Sequence, residues 1–550
     1  MPKHVWKDLA DLGGDRRRAD EFAPEVALAL AQLRAAHGES NVSCQSEGNR
    51  PGSIPEVAAM GAAVDPALVA DADRFRDELS IALPGVNRRG FLQLTGAAAV
   101  FALAGCWHKK PDTLVPYANQ PEGTTVGKPV WWSSVLRDAG RAVPVMVKTY
   151  DGRPIKLEGN PDSPINNGAV VSGALDLRTQ AALLNLYDPD RRQIGPLKKS
   201  GGQPAALSWD QLDAELGAAL TSGAVALISG AFDSPSRKQL LDELATAFGD
   251  RFVHAAYDAY APDAEVRARE LSFGPAAAKP AVLHIDRADV VVTLGSDLLG
   301  GGQTGLSEQI GYGDLRRRRL DADGKAVIGQ VICFEPTLTQ TGTVCDVRVR
   351  AGMDQLAAIA WGIAKALGAT LPDGAIAKTG KELGLKDVGG VDAVAFAAQR
   401  LAIAREAGRN SLIYVGGAQH CGDNSIALHV AANFLNRFLG NEGVTIETAS
   451  VPASAIAPSH AATRAALAKA AGATLILWGA NPAHSLPGAS EAIAKAKTVV
   501  VIAERADESF AAATAAYLAP SLHGLESWGD AELVSGLFAL QQPCIQPLWD

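Results

Sequence analysis

From about residue 206 the chain alternates between short apolar runs and helix-forming stretches. The run 225–228 leads into Gly230, 290–294 into Gly295, and 331–334 into Glu335-Pro336. Likewise 412–415 leads into Gly416-Gly417, 475–478 into Gly479, and 499–502 into Ala503-Glu504. Runs that are apolar at every position, not every second one, predict strands buried on both faces of a parallel sheet. Between them lie Ala- and Leu-rich helical stretches such as 355–367. Ser234-Pro235 before one such stretch and Gly249 after it are the N-cap, first-turn and C-terminal residues that punctuate a helix. This alternation predicts an α/β fold with two doubly wound parallel-sheet domains. The ligand crevice of such sheets lies at the carboxyl ends of the strands. That rule singles out Gly295, Ser296 and Asp297, then Glu335, Pro336 and Thr337, then Gly479, Asn481 and Pro482. Taken singly, each glycine reads equally well as a tight strand–helix turn.

The texture before residue 206 is different. Val143 to Tyr150 and Ile155 to Leu157 flank Asp151-Gly152, a hairpin signal. Residues 107–135 are rich in Pro and Gly, carry Trp107, Trp131 and Trp132, and predict extended, irregular structure. Together these make a small β-rich domain over 107–205. Just ahead, Arg88-Arg89 precedes an apolar core of roughly ten residues and then Leu103-Ala104-Gly105-Cys106. Such an order predicts an export signal, because a spanning helix needs ~20 apolar residues. The arginine pair points to the twin-arginine route and Cys106 to a lipid acceptor. Residues 1–86 are then a presequence extension, and the remainder is lipid-anchored on the extracytoplasmic face of the membrane. The plainer alternative is a buried helix after a basic turn.

A chain of 550 residues needs several cores. The expected domains are 107–205, then 206–260 with 405–515, then 261–404 as an insertion, with 516–550 opening a further domain. The net charge of -9 excludes a nucleic-acid binder, which needs a basic footprint. Its one basic cluster, the arginines at 316–319, runs into Asp321-Ala322-Asp323-Gly324 and reads as a solvated loop. Six cysteines at 44, 106, 333, 345, 421 and 544 contain no CxxC, so no local zinc or iron–sulfur motif exists. Cys333 and Cys345 either pair in an oxidising compartment or remain two buried thiols. His420-Cys421-Gly422-Asp423 lacks a second Cys/His pair, and Gly300-Gly301-Gly302 is too short to signal phosphate binding.

In order along the chain, these turns resemble the molybdopterin oxidoreductase superfamily. The segment from Gly152-Arg153-Pro154 to Asp162-Ser163-Pro164 is similar to its signature hairpin. Tyr187-Asp188-Pro189-Asp190-Arg191 and Ser208-Trp209-Asp210 follow in their expected places. Glu335-Pro336-Thr337, with Asp346 and Gly352-Met353-Asp354, resembles a segment that cradles a pterin dinucleotide, and Trp478-Gly479-Ala480-Asn481-Pro482 resembles a second. A narrower set consists of Val5-Trp6-Lys7-Asp8-Leu9, the displaced twin-arginine signal, the lipobox, Leu114-Val115-Pro116-Tyr117 and Leu525-Glu526-Ser527-Trp528-Gly529-Asp530. It resembles the B subunits of alternative complex III, which are membrane-bound quinol:acceptor oxidoreductases. The resemblance implies three kinds of partner: a ferredoxin-like iron–sulfur domain or subunit, a multihaem cytochrome c subunit and an integral-membrane quinol-site subunit. Residues 542–550 read as the approach to a further domain, so the clusters are expected on a C-terminal half or a partner chain.

Departures from the active family are equally specific. No cysteine lies between Trp107 and Gly168, and Asn167-Gly168-Ala169-Val170 stands where a fourth cluster ligand is expected. A cluster needs thiolates, so none forms here. The segment matching the molybdenum ligand, residues 252–261, offers Asp258 as its one anionic candidate, and a solvated loop Asp is the plainer reading. His254 is either a proton carrier or structural. Glu335 replaces the usual Asp, Leu338 the usual Arg and Ala351 the usual Pro. An Arg there makes bidentate contacts to an anion, which Leu cannot. The sequence therefore predicts a scaffold with no catalytic residue, no molybdenum and no iron–sulfur cluster of its own. Leu338 is expected to be partly buried against the turn after Gly479. A molybdenum-dependent reductase of polysulfide, thiosulfate or nitrate type and a ligand-binding lipoprotein are the alternatives.

Overall fold

A computed structural model describes residues 125–548, apart from 126, 139, 192–194, 222, 301–304, 321–323, 417–423 and 449–450. Arg88, Arg89, Cys106, residues 1–86, the 114–117 motif and the 420–423 motif lie outside the described residues.

The chain first builds a three-stranded antiparallel sheet from Val130–Asp138, Arg141–Tyr150 and Arg153–Gly159. Asp151 and Gly152 join the last two strands with φ of 48° and 79°, the paired positive values of a two-residue hairpin turn. The Val130–Asp138 strand corrects the irregular reading of this stretch. Trp131-Trp132-Ser133-Ser134 hides the alternation, yet these residues pair in unbroken register with 145–148. Val145, Val147 and Leu157 face inward and pack on Leu183 and Leu186 of the helix Leu177–Leu186.

Two parallel sheets follow, as the apolar runs predict. The first has seven strands in the order Ala205–Ala206, Leu197–Ser200, Ala515–Pro520, Thr498–Ala503, Thr474–Trp478, Val225–Gly230 and Phe252–Tyr257. Its last five strands are mutually parallel. The second, fully parallel, has the order Val347–Arg350, Gln330–Glu335, Val290–Leu294, Ser411–Tyr414. Val292, Leu294, Ile332 and Phe334 fill the core on one of its faces and Val291, Val331 and Leu412 that on the other. This two-sided burial is why the runs show no alternation.

Two expected boundaries move. Ser411–Tyr414 pairs with Val290–Leu294, so it belongs to the second sheet and not to a unit resuming at 405. Ala515–Pro520 pairs with Thr498–Ala503, so the first sheet runs past 516. Composition cannot assign a strand to one of two similar sheets; tertiary pairing does. The hairpin Gly529–Val534 and Leu537–Gln541 then returns to the first sheet of the chain, where Ala531, Leu533 and Ala539 cover Val135 and Ala142.

Candidate functional site: the crevices at the strand ends

In each parallel sheet the strand order reverses once. The seven-stranded sheet reverses between Val225–Gly230 and Thr474–Trp478, the four-stranded one between Val290–Leu294 and Ser411–Tyr414. A ligand belongs at these switch points, where helix N-termini offer N–H donors to an anion.

At the first switch point the helix Pro235–Phe248 begins as its punctuation predicts, with Ser234 Oγ accepting from Arg237 N at 3.2 Å. Its N-terminus already holds an anion. The carboxylate of Asp530, from the late hairpin, accepts from Ser236 N at 3.0 Å, Ser236 Oγ at 2.6 Å and Ser234 Oγ. Burial alone would raise the Asp530 pKa, but the hydrogen bonds from Ser234 and Ser236 hold it below the usual carboxylate range. Beside it, burial raises the Asp233 carboxyl against the opposing pull of Arg137. Burial, with Arg137 nearby, lowers Arg237 to about 10; its guanidinium lies 4.9 Å from the centre of the Trp478 ring. Gly230 and Gly479 abut so closely that a Cβ on Gly230 would stand 2.8 Å from the Gly479 carbonyl oxygen.

At the second switch point, too, the described residues bond carboxylates of the chain itself. Asp297 accepts from Thr341 N at 3.0 Å, Thr341 Oγ1 at 2.6 Å and Gln340 N at 3.3 Å, capping the short helix Gln340–Val344. Glu335 is wholly buried, and its carboxylate accepts from Thr339 Oγ1 at 2.6 Å and from Arg348 Nε. Gly342 makes room for it, since a Cβ there would stand 1.9 Å from Glu335 Oε1. Ser296 is buried and accepts from Gly416 N at 3.0 Å. Gly295, at φ 73°, donates to the Phe334 carbonyl. Pro336 is half-buried, and Thr337 and Asp354 are exposed. Leu338 is 64 % exposed, which corrects its expected burial. Leu338, where the resemblance implies an anion-binding Arg, stands in solvent and is not packed against the turn after Gly479.

On the remaining crevice segment, Gly479 has φ 60° and Pro482 opens a short helix. Asn481 uses both ends of its amide, donating to Glu508 at 2.5 Å and accepting from Ser509 Oγ at 2.7 Å. A third carboxylate, Asp263, caps the helix His460–Lys469 through Ser459 Oγ at 2.6 Å and His460 N at 2.7 Å. Of the three N-cap residues, Ser234 was legible in the sequence and Thr339 and Ser459 were not; nothing local to them announces carboxylates up to 296 residues away. A groove of about 450 Å³ lies on the flank of the seven-stranded sheet, lined by Arg464, Leu467, Leu486, Gly488 and Lys495, and does not reach the second sheet.

No protein-family model matches the chain. It is 26% identical over 507 residues to the molybdopterin-binding-like subunit of menaquinone reductase from Nitratidesulfovibrio vulgaris, spanning 84% of this chain and 70% of that one. It is 29% identical over 126 residues to a nitrate reductase from Symbiobacterium thermophilum, covering 23% of this chain and 15% of that enzyme. Its fold matches acetylene hydratase from Pelobacter acetylenicus with a TM-score of 0.50 at 14% identity, over 76% and 67% of the two chains. These likenesses support the resemblance to the molybdopterin oxidoreductase superfamily.

Two stretches singled out in the sequence, 187–191 and 525–530, meet in space. Arg191, ending the 187–191 motif, donates to Glu526 of the 525–530 motif at 2.5 Å inside the protein, while Arg505 pairs with Asp188. At the position expected for a superfamily cluster ligand, Asn167 bridges its own loop, donating to the Pro161 carbonyl at 2.6 Å and accepting from Gly173 N at 2.9 Å. Asp258, the candidate metal ligand, accepts from Tyr260 N at 3.0 Å in a turn of its own. His254 shares a hydrogen bond of 2.9 Å with Ser229 Oγ, and burial lowers its pKa, so it is neutral at pH 7. Among the described residues no three His, Cys, Asp or Glu side chains converge as a metal site.

Proposed function

We propose that this chain is the molybdopterin-oxidoreductase-like scaffold portion of a membrane-bound quinol:acceptor oxidoreductase and carries no redox cofactor itself. The observation that carries the reading is the filling of both switch points by the chain's own carboxylates. A pterin dinucleotide brings phosphates that need the helix N-terminal donors now bonded to Asp530 and Asp297. Placing them there would set like charges side by side, so the residues present do not fit the group. Asn167, with its amide committed at both ends, does not fit a cluster, which needs thiolates. The relative described as a molybdopterin-binding-like subunit of a menaquinone reductase supports a place in a quinone-linked assembly.

In this reading the chain docks a ferredoxin-like iron–sulfur domain or subunit against a multihaem cytochrome c and an integral-membrane quinol-site subunit. Cys106 holds it by lipid to the extracytoplasmic face, after twin-arginine export directed by Arg88 and Arg89. The test is metal and pterin analysis of the complex purified from its own membrane, with the subunits separated. Molybdenum and iron well below one per chain are expected in this subunit, with no tryptic peptides from residues 1–105. One molybdenum per chain would restore the reductase alternative.

A further inference from the structure

Cys333 and Cys345 stand apart from the crevice chemistry but bracket one of its turns. Cys333 lies in the inner strand Gln330–Glu335 and is wholly buried. Cys345 follows the helix Gln340–Val344, donating its N–H to the Thr341 carbonyl at 2.9 Å. The next residue, Asp346, donates to the Val331 carbonyl at 3.0 Å, so the chain re-enters the sheet beside the strand it left. Ile332 then pairs with Val347. Residues 331 and 333 project from the same face of their strand. Val331 shares an apolar cluster with Leu298 and Leu412, against which Cys345 and Tyr312 pack. The two thiols thus sit on the same side of the sheet, near enough for each to shift the other's ionisation. Cys333 S–H donates to Glu335 Oε2 at 3.4 Å and Cys345 S–H to the Gly342 carbonyl at 3.4 Å.

The pair is asymmetric. Cys345 is half-buried, and the neighbouring Cys333 holds its thiol below the ordinary value. Cys333 is wholly buried, and the neighbouring Cys345 and its burial push it up. The solvent-reachable sulfur is therefore the one with more thiolate character, and the thiolate is the attacking species. We propose that Cys333 and Cys345 are a reversible dithiol–disulfide pair, closed by exchange with a small-molecule disulfide, that staples the turn carrying Glu335, Pro336 and Thr337 across its base.

In the first step the Cys345 thiolate attacks one sulfur of the small disulfide, forming a mixed disulfide and releasing one thiolate. In the second, Cys333 loses its proton to that released thiolate and attacks Cys345 sulfur, expelling the second thiolate. Two protein thiols are oxidised by two electrons and one small disulfide is reduced to two thiols. The final bond is ~2 Å long, and closing it draws in Cys345 at the end of a short helix, not Cys333 in the centre of a sheet.

Both cysteines fall in one tryptic peptide, residues 326–348, which contains no other cysteine. The full chain should be equilibrated with defined ratios of reduced to oxidised glutathione, quenched in acid, denatured and alkylated without reductant. Under oxidising ratios peptide 326–348 should lose both alkyl groups and two hydrogen atoms, and regain them after dithiothreitol. The oxidised protein should melt at a higher temperature than the reduced one, a difference absent from Cys345→Ser. In Cys333→Ser, Cys345 should accumulate as the glutathione mixed disulfide. The proposal is overturned by a peptide that keeps both alkyl groups at every ratio. It is also overturned by a Cys345–glutathione adduct that Cys333 never resolves in the unsubstituted chain. Neither readout depends on the scaffold function.

Discussion

Asp530 does at a single residue what a bound phosphate does in a nucleotide site. It presents negative charge to the first N–H groups of Pro235–Phe248, and two serine hydroxyls complete its shell. Asp530→Ala should therefore destabilise the protein by about 1–2 kcal/mol, the range for losing a capping carboxylate, read from urea unfolding at neutral pH. Nothing in the sequence around Ser234 announces this partner, because a cap supplied by a distant segment leaves no local pattern. Leu338 is the opposite case: the departure from the family was legible, but its consequence was not. An exposed side chain has no packing to lose, so Leu338→Arg should change stability by no more than ~0.5 kcal/mol. Isothermal titration with a guanine nucleotide should detect no binding to that variant; a clear heat would mean that the crevice still accepts its ligand.

At the scale of elements, the helix Gln340–Val344 exists around Glu335. Its third residue is Gly342 because the buried carboxylate occupies the space of a Cβ. Gly342→Ala should cost about 1–3 kcal/mol through overpacking, although alanine is the better helix former. A gain in thermal midpoint would show that the carboxylate moves freely. The strands were legible wherever burial on both faces made them apolar throughout, and the Asp151-Gly152 turn wherever two positive φ values required that dipeptide. The strand Val130–Asp138 was not, since consecutive tryptophans and serines erase the period of two. Nor was the sheet to which Ser411–Tyr414 belongs, because every inner strand of both sheets carries the same aliphatic residues. Asp297 and Glu335 lie in the turns that the apolar runs single out, whereas Asp530 reaches its helix from a distant segment.

At the scale of the whole molecule, Arg191 ties the residues after the first helix to the loop before the late hairpin, with Glu526 at 2.5 Å and Glu504 at 3.6 Å. Removing one partner of a buried pair strands the other, so Glu526→Ala should cost about 3–5 kcal/mol. Lys238→Ala, which breaks the exposed pair with Asp242, should cost about 0.3–0.5 kcal/mol. Burial opposes ionisation of Glu526, but the hydrogen bond from Arg191 prevails and holds its pKa below the usual value. Its contribution is therefore complete above the ordinary glutamate range and is lost as pH falls through the folded pKa. Burial and Arg191 also lower the His523 pKa, so the unfolded chain takes up a proton that the folded one refuses below ~6.5. The urea midpoint should thus fall first below ~6.5 and again in the acid carboxylate range, and Glu526→Gln should flatten only the second decline. The hairpin beyond this clasp has a consequence for the order in which the protein is made. Ser134 Oγ donates to the carbonyl of Gln542, a contact spanning 408 residues, and Val135 and Ala142 lie beneath Ala531. At ~5–20 residues per second a ribosome needs roughly 20–80 s to supply that cover. For that interval the sheet of residues 130–159 keeps an apolar face bare, until the hairpin of residues 529–541 closes over it.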